Sequence, residues 1–182
     1  MDKRISINIK TISGYLLILA VSFLLHTVKP SSHMFYTLLP VLMLIIPIIS
    51  GYRVRIALSL KDIGIGFLVS VIILLPYYLM FGGDGKTLTW SYVLMQLLII
   101  SFPEEFFFRG FLQDSIGRNY QAVVFVSLFF ALAHLPNAFF EGEWISLLSF
   151  FPSLVMGWLY MKTNNIIPGA IFHLLANLVY QR

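Results

Sequence analysis

The chain has 182 residues, of which 59% are hydrophobic and 11% charged, with no cysteine and a formal net charge of +4. Its mean hydropathy of +0.88 lies far outside the balance of a soluble domain, so the composition is that of an integral membrane protein. The missing thiol excludes disulfides, thiolate metal sites and cysteine nucleophiles, and basic residues that never cluster five together exclude a nucleic-acid-binding patch.

In chain order, Lys3, Arg4 and Lys10 lead into the apolar stretch Tyr15 to Leu25. His26, Thr27, Val28, Lys29 and Pro30 follow where a signal peptide would carry a small-residue cleavage site. An uncleaved first span is expected. Apolar runs at 34–50, 63–81, 90–114, 121–135, 144–161 and 166–180 follow, each bounded by charged, Gly or Asn residues. The expected fold is all-α: a polytopic transmembrane helical bundle of about seven spans, within the six to eight that roughly 20 residues per span permit. One integral membrane domain over residues 1–182 is expected, with no internal repeat of the kind transporters show. A cytoplasmic amino terminus places Lys3, Arg4, Lys10, Arg53, Arg55, Lys61, Arg118 and Lys162 inside and Lys29, Lys86 and Arg182 outside, the expected positive-inside bias. Trp90, Tyr92 and Trp144 then mark the outer interface.

The fourth run contains Pro103-Glu104-Glu105-Phe106-Phe107-Phe108-Arg109-Gly110. Ser101 and Pro103 could open an interfacial helix with acids in its first turn. That would leave only about 13 residues after Trp90, too few for a crossing, so a continuous or kinked helix to Asp114 is expected instead. On it Glu105 and Arg109 are four apart and can neutralise each other. Glu104 points about 100° away and lacks a local cation, so a low dielectric disfavours its charge most.

The fifth run ends in Phe130-Ala131-Leu132-Ala133-His134, and the seventh holds His173-Leu174-Leu175-Ala176-Asn177. Spacing of four sets the Phe130 ring beside the His134 imidazole, and places His173 and Asn177 on one face. Taken singly, a lone His near a span end is often a wetted interfacial residue, and His or Asn within spans is often packing glue. At 1.5 Å per residue, however, Glu104, His134, His173 and Asn177 all fall roughly 12–20 Å from the cytoplasmic boundary. Ionisable groups sharing a middle layer of the bilayer point to function.

Glu-Glu-x-x-x-Arg at 104–109, Phe-x-x-x-His at 130–134 and His-x-x-x-Asn at 173–177, in this order on separate spans, resemble the CPBP family of intramembrane proteases. That family includes the CAAX prenyl endopeptidases and bacteriocin-processing or Abi-like immunity proteins. The resemblance covers about residues 90–180, a family-like catalytic core, while the first three spans carry no family signature. It implies an intramembrane glutamic endopeptidase that hydrolyses a peptide bond of a membrane-associated protein or peptide. Glu104 would activate water, His134 would hold and polarise it, and His173 and Asn177 would stabilise the oxyanion. Glu105 and Arg109 would support the base. No cofactor is expected, although Glu104, His134 and His173 also form a catalytic zinc set by composition. No His-Glu-x-x-His helix is present. A non-catalytic immunity or binding protein on the same scaffold is the alternative from another class. The expected partners are the lipid bilayer and a peptide substrate, without nucleic acid. The expected location is a bacterial or archaeal cell membrane.

Overall fold

The structure, a computed structural model, describes residues 9–30, 37–81 and 89–180. Its helices are α1 (Ile9–Val28), α2 (Leu38–Ile49), α3 (Leu60–Phe81), α4 (Trp90–Ile116), α5 (Tyr120–Glu141), α6 (Trp144–Thr163) and α7 (Ile167–Tyr180), with no strand among the described residues. Five of them, α1, α3, α4, α5 and α6, are long and apolar enough to cross a bilayer; α2 and α7 are apolar but shorter. This is a helical membrane bundle, with the span order read from hydropathy. Of the topology residues, Lys3, Arg4, Lys86 and Arg182 lie outside the described residues, as does the start of the 34–50 run.

Two local features depart from the hydropathy pattern. The fifth span was expected to stop near residue 135, yet it bends at His134 (φ −90°, ψ 0°) and resumes as Leu135–Glu141. Pro136 stands in the first turn of that second segment, where a missing N–H is harmless, so it redirects the helix rather than ending it. The second feature is the winding of α4, which is π-helical over Gln96–Ser101 and again over Phe106–Gln113. Such wide turns are rare and cluster at functional sites. Ser101 makes no capping bond, and the helix runs through it without a break.

α4 occupies the centre. Its segment from Glu105 to Gln113 is buried on every side, with α1, α2, α5, α6 and α7 packed around it. Phe107, Phe108, Phe111 and Leu112 meet Ile18, Phe130, Met156, Leu159 and Phe172 there, with Phe108 edge-on to Phe130 at 4.9 Å. The outward faces carry Leu16, Leu24, Phe67, Leu68, Ile72, Val124 and Leu128, the inverse of a soluble surface.

Lipid is as apolar as these side chains, so close packing and interhelical polar bonds must hold the bundle together. Small residues supply the first. Gly66 of α3 rests directly on the Pro168 backbone of α7, and Gly110 of α4 on Val54. Polar bonds fix the stretch between α2 and α3. Asn165 donates to Ala57 O (2.7 Å) and to Asp62 (2.9 Å), and its Oδ1 accepts from Ala57 N (3.1 Å). The Tyr52 hydroxyl donates to Asp114 at 2.9 Å. Burial, and then that hydrogen bond, raise the Tyr52 hydroxyl well above its ordinary pKa, so it stays a donor.

The α3–α7 contact is testable with a matched pair of glycines. A Cβ on Gly66 would stand 2.8 Å from the Cα and O of Pro168, whereas one on Gly64 would meet nothing within 4 Å. Gly66→Ala should therefore destabilise the protein by about 1–3 kcal/mol through overpacking against immobile backbone. Gly64→Ala should be neutral or stabilising by up to about 1 kcal/mol, since it only improves helix propensity. Thermal unfolding of both variants in one detergent checks this, and equal melting temperatures would refute the contact.

Candidate active site

Glu104 and Glu105 fall at the midpoint of the 27-residue α4. The i, i+4 spacing brings the Arg109 Nε within 3.2 Å of Glu105 Oε2, with both side chains fully buried. Arg109 also donates from Nη2 to Ser153 Oγ of α6 at 2.9 Å, and its guanidinium lies 5.4 Å from the centre of the Phe130 ring of α5. One cation thus ties α4 to α5 and α6 through a carboxylate, a hydroxyl and a π face. Glycine makes room for this pair: a Cβ on Gly169 of α7 would stand 2.6 Å from Glu105 Oε2.

His173, midway along α7, faces both carboxylates. Its Nδ1 is 3.3 Å from Glu105 Oε1 and its Nε2 is 3.7 Å from Glu104 Oε2. The two acids differ in access: the Glu105 side chain has no exposure, whereas that of Glu104 keeps 20%. The division expected from spacing is therefore present in space, with one refinement. Glu104 has no cation on its own helix, but the imidazole of α7 stands beside it.

His134 is half-buried at the α5 bend, with its ring 5.0 Å from that of Phe130. The other face of the same Phe130 neighbourhood holds His173, edge-on at 5.7 Å. Nδ1 of His134 lies 2.8 Å from the Phe130 carbonyl, which can only accept, so the proton sits on Nδ1. Of the two ring nitrogens, Nε2 is then the one placed to accept. Asn177 donates from Nδ2 to Gln96 Oε1 at 3.1 Å, a bond to the first half of α4 rather than to a carboxylate. Direct contacts therefore join Glu104, Glu105, Arg109 and His173, while His134 is linked through Phe130 and Asn177 is bonded to Gln96 higher on α4.

Ser153, Gly169 and Gln96 went unnoticed in the sequence. Gln96 carried a usable signal, an amide in an apolar run; a serine and a glycine in a membrane helix carry none. Among the described residues, Glu104 Oε2, Glu105 Oε1, Arg109 Nη1 and His173 Nδ1 are buried without a directed protein hydrogen bond. The site thus holds more polar capacity than the fold consumes, as a centre that handles water or a polar substrate requires. Among the described residues no three His, Asp or Glu side chains are grouped as a metal ion would need.

A family model described as type II CAAX prenyl endopeptidase Rce1-like matches residues 86–179, just over half of the chain. The UPF0177 protein YxdF of Lactococcus lactis subsp. lactis is 33% identical over 81 residues, which cover 44% of this chain and 43% of that protein. The match thus spans less than half the length of this curated relative. No solved structure matches.

The ion pair predicts an asymmetric response to mutation. Arg109→Met should destabilise the protein by about 3–5 kcal/mol, because it leaves the Glu105 carboxylate buried without its cation. Adding Glu105→Gln should recover a large part of that loss. Melting temperature and detergent-extracted yield of the single and double variants test this; a well-folded Arg109→Met protein would contradict it.

Proposed function

The chain belongs to the Rce1-like family of type II CAAX prenyl endopeptidases, within the CPBP proteins, and on that premise we propose that Glu104 drives peptide-bond hydrolysis inside the membrane. Membership supports reading the chain as a membrane peptidase that acts on a peptide or protein at the bilayer. What supports the finer assignment is the unequal pair at mid-span: Glu105 is committed to Arg109, and Glu104 keeps partial access beside His173.

In this mechanism a water molecule lies between Glu104 and the Nε2 acceptor of His134. Glu104 takes a proton from the water as its oxygen attacks the scissile carbonyl carbon, and the carbonyl π electrons move onto oxygen. N–H groups of His173 and Asn177 stabilise that oxyanion, each worth a few kcal/mol in a dry site. Glu104 then returns the proton to the departing amide nitrogen as the oxyanion re-forms the carbonyl and the C–N bond breaks, giving a carboxylic acid and an amine. Glu105, Arg109 and Ser153 hold the helix that carries the base. No step runs through a metal ion. In this reading the protein sits in the cell membrane with its amino terminus cytoplasmic, as the distribution of Lys and Arg supports.

Glu104→Gln should lower turnover by about 10²–10⁴-fold while the protein still inserts and melts normally. The assay is cleavage of an internally quenched peptide ending in a farnesylated C-a-a-X tail, by purified protein in lipid nanodiscs. Membranes carrying Glu104→Ala should in parallel accumulate an uncut precursor. Retained cleavage by Glu104→Gln would exclude its role as base, and an unaltered membrane proteome would favour a binding role for the scaffold. Turnover should also survive chelation; stoichiometric zinc whose removal reversibly abolishes cleavage would overturn the metal-free mechanism.

A further inference from the structure

Gln96 lies in the otherwise apolar first half of α4 and is almost fully buried. Its amide is engaged at both ends: Oε1 accepts from Asn177 Nδ2 at 3.1 Å, and Nε2 donates to the Tyr92 hydroxyl at 3.2 Å. In this arrangement the Gln96 NH2 is on Tyr92 and its carbonyl meets Asn177, which turns its own NH2 toward α4. This matters because the amide torsion of Asn is broad and roughly two-fold, so an unheld side chain offers donor or acceptor indifferently. One hydrogen bond to a fixed carbonyl removes that freedom and leaves the second N–H of Asn177 pointing in a defined direction.

The helix winding serves the same arrangement. Eight residues of regular α-helix would set Gln96 roughly 80° round the axis from Glu104. The π winding over Gln96–Ser101 turns less per residue and takes up that offset, bringing the amide onto the side of α4 that meets α7.

We propose that Gln96 is a positioning residue that fixes the amide plane of Asn177, so that the second Asn177 N–H is aimed at the oxyanion. This rests on the hydrolytic mechanism above and adds its amide-orienting step. Gln96 touches no reacting atom; it acts through Asn177.

Kinetics of the farnesylated C-a-a-X peptide in nanodiscs test it. Gln96→Leu should lower kcat about tenfold, the effect of one misplaced hydrogen bond on the barrier, with KM within about twofold. Gln96→Glu, which still accepts from Asn177, should restore most of kcat. In an Asn177→Ala background, Gln96→Leu should cause no further loss. Equal losses in both backgrounds, a loss confined to KM, or a loss that follows melting temperature would mean a packing role and overturn the proposal. Should Gln96→Leu fail to fold, Tyr92→Phe replaces it: removing the hydroxyl that accepts the Gln96 N–H should give a smaller kcat loss that also vanishes with Asn177→Ala. Glu104→Gln separates the two levels. Cleavage surviving in that variant removes the hydrolytic mechanism and this proposal together, whereas cleavage lost there but intact in Gln96→Leu overturns only the role of Gln96.

Discussion

A fully buried arginine in the middle of a membrane bundle constrains everything near it. Arg109 cannot stand uncompensated in a low dielectric, and a partner must neutralise it within the same layer. Glu105 does so from one turn away, Ser153 takes a second donor, and the Phe130 face takes the remaining field. Each partner belongs to a different stretch of helix. The ion pair therefore locks α4, α5 and α6 at one level, and Gly169 lets α7 close over it. The aromatic core of Phe107, Phe108, Phe111 and Phe130 packs around this polar knot.

The functional consequence is a separation of two adjacent acids. Consecutive helix positions diverge by about 100°, so only one of Glu104 and Glu105 can reach Arg109. The other is left on the side that faces His173 and retains access. One sequence doublet thereby yields a carboxylate committed to Arg109 and one that keeps partial access, without a second element supplying either. The imidazole of His173 bridges the two environments, with one ring nitrogen toward each acid.

Much of this was legible in advance because membranes impose strict rules. Span lengths follow from bilayer thickness, and polar residues inside apolar runs are expensive enough to be conspicuous, so Glu104, Glu105, Arg109, His134, His173 and Asn177 stood out singly. Spacing then gave the Glu105–Arg109 pair and the Phe130–His134 contact, both of which are present. Less accessible was the path of α5 beyond His134. Pro136 normally signals an ending, and only the bend at His134 puts it at the start of a new turn. The π winding of α4 was equally hidden, since no local residue preference announces it.

By itself, then, the sequence determined the class of fold, the order of the spans, and which polar residues share a helix face, because all of these depend on local periodicity and transfer energies. Tertiary structure alone decided which residues meet across helices. The pairing of His173 with Glu104, of Arg109 with Ser153, and of Asn177 with Gln96 joins positions up to 81 residues apart. Such contacts depend on how helices rotate and cross, and that is set by small residues and winding at the interfaces rather than by any pattern within one span.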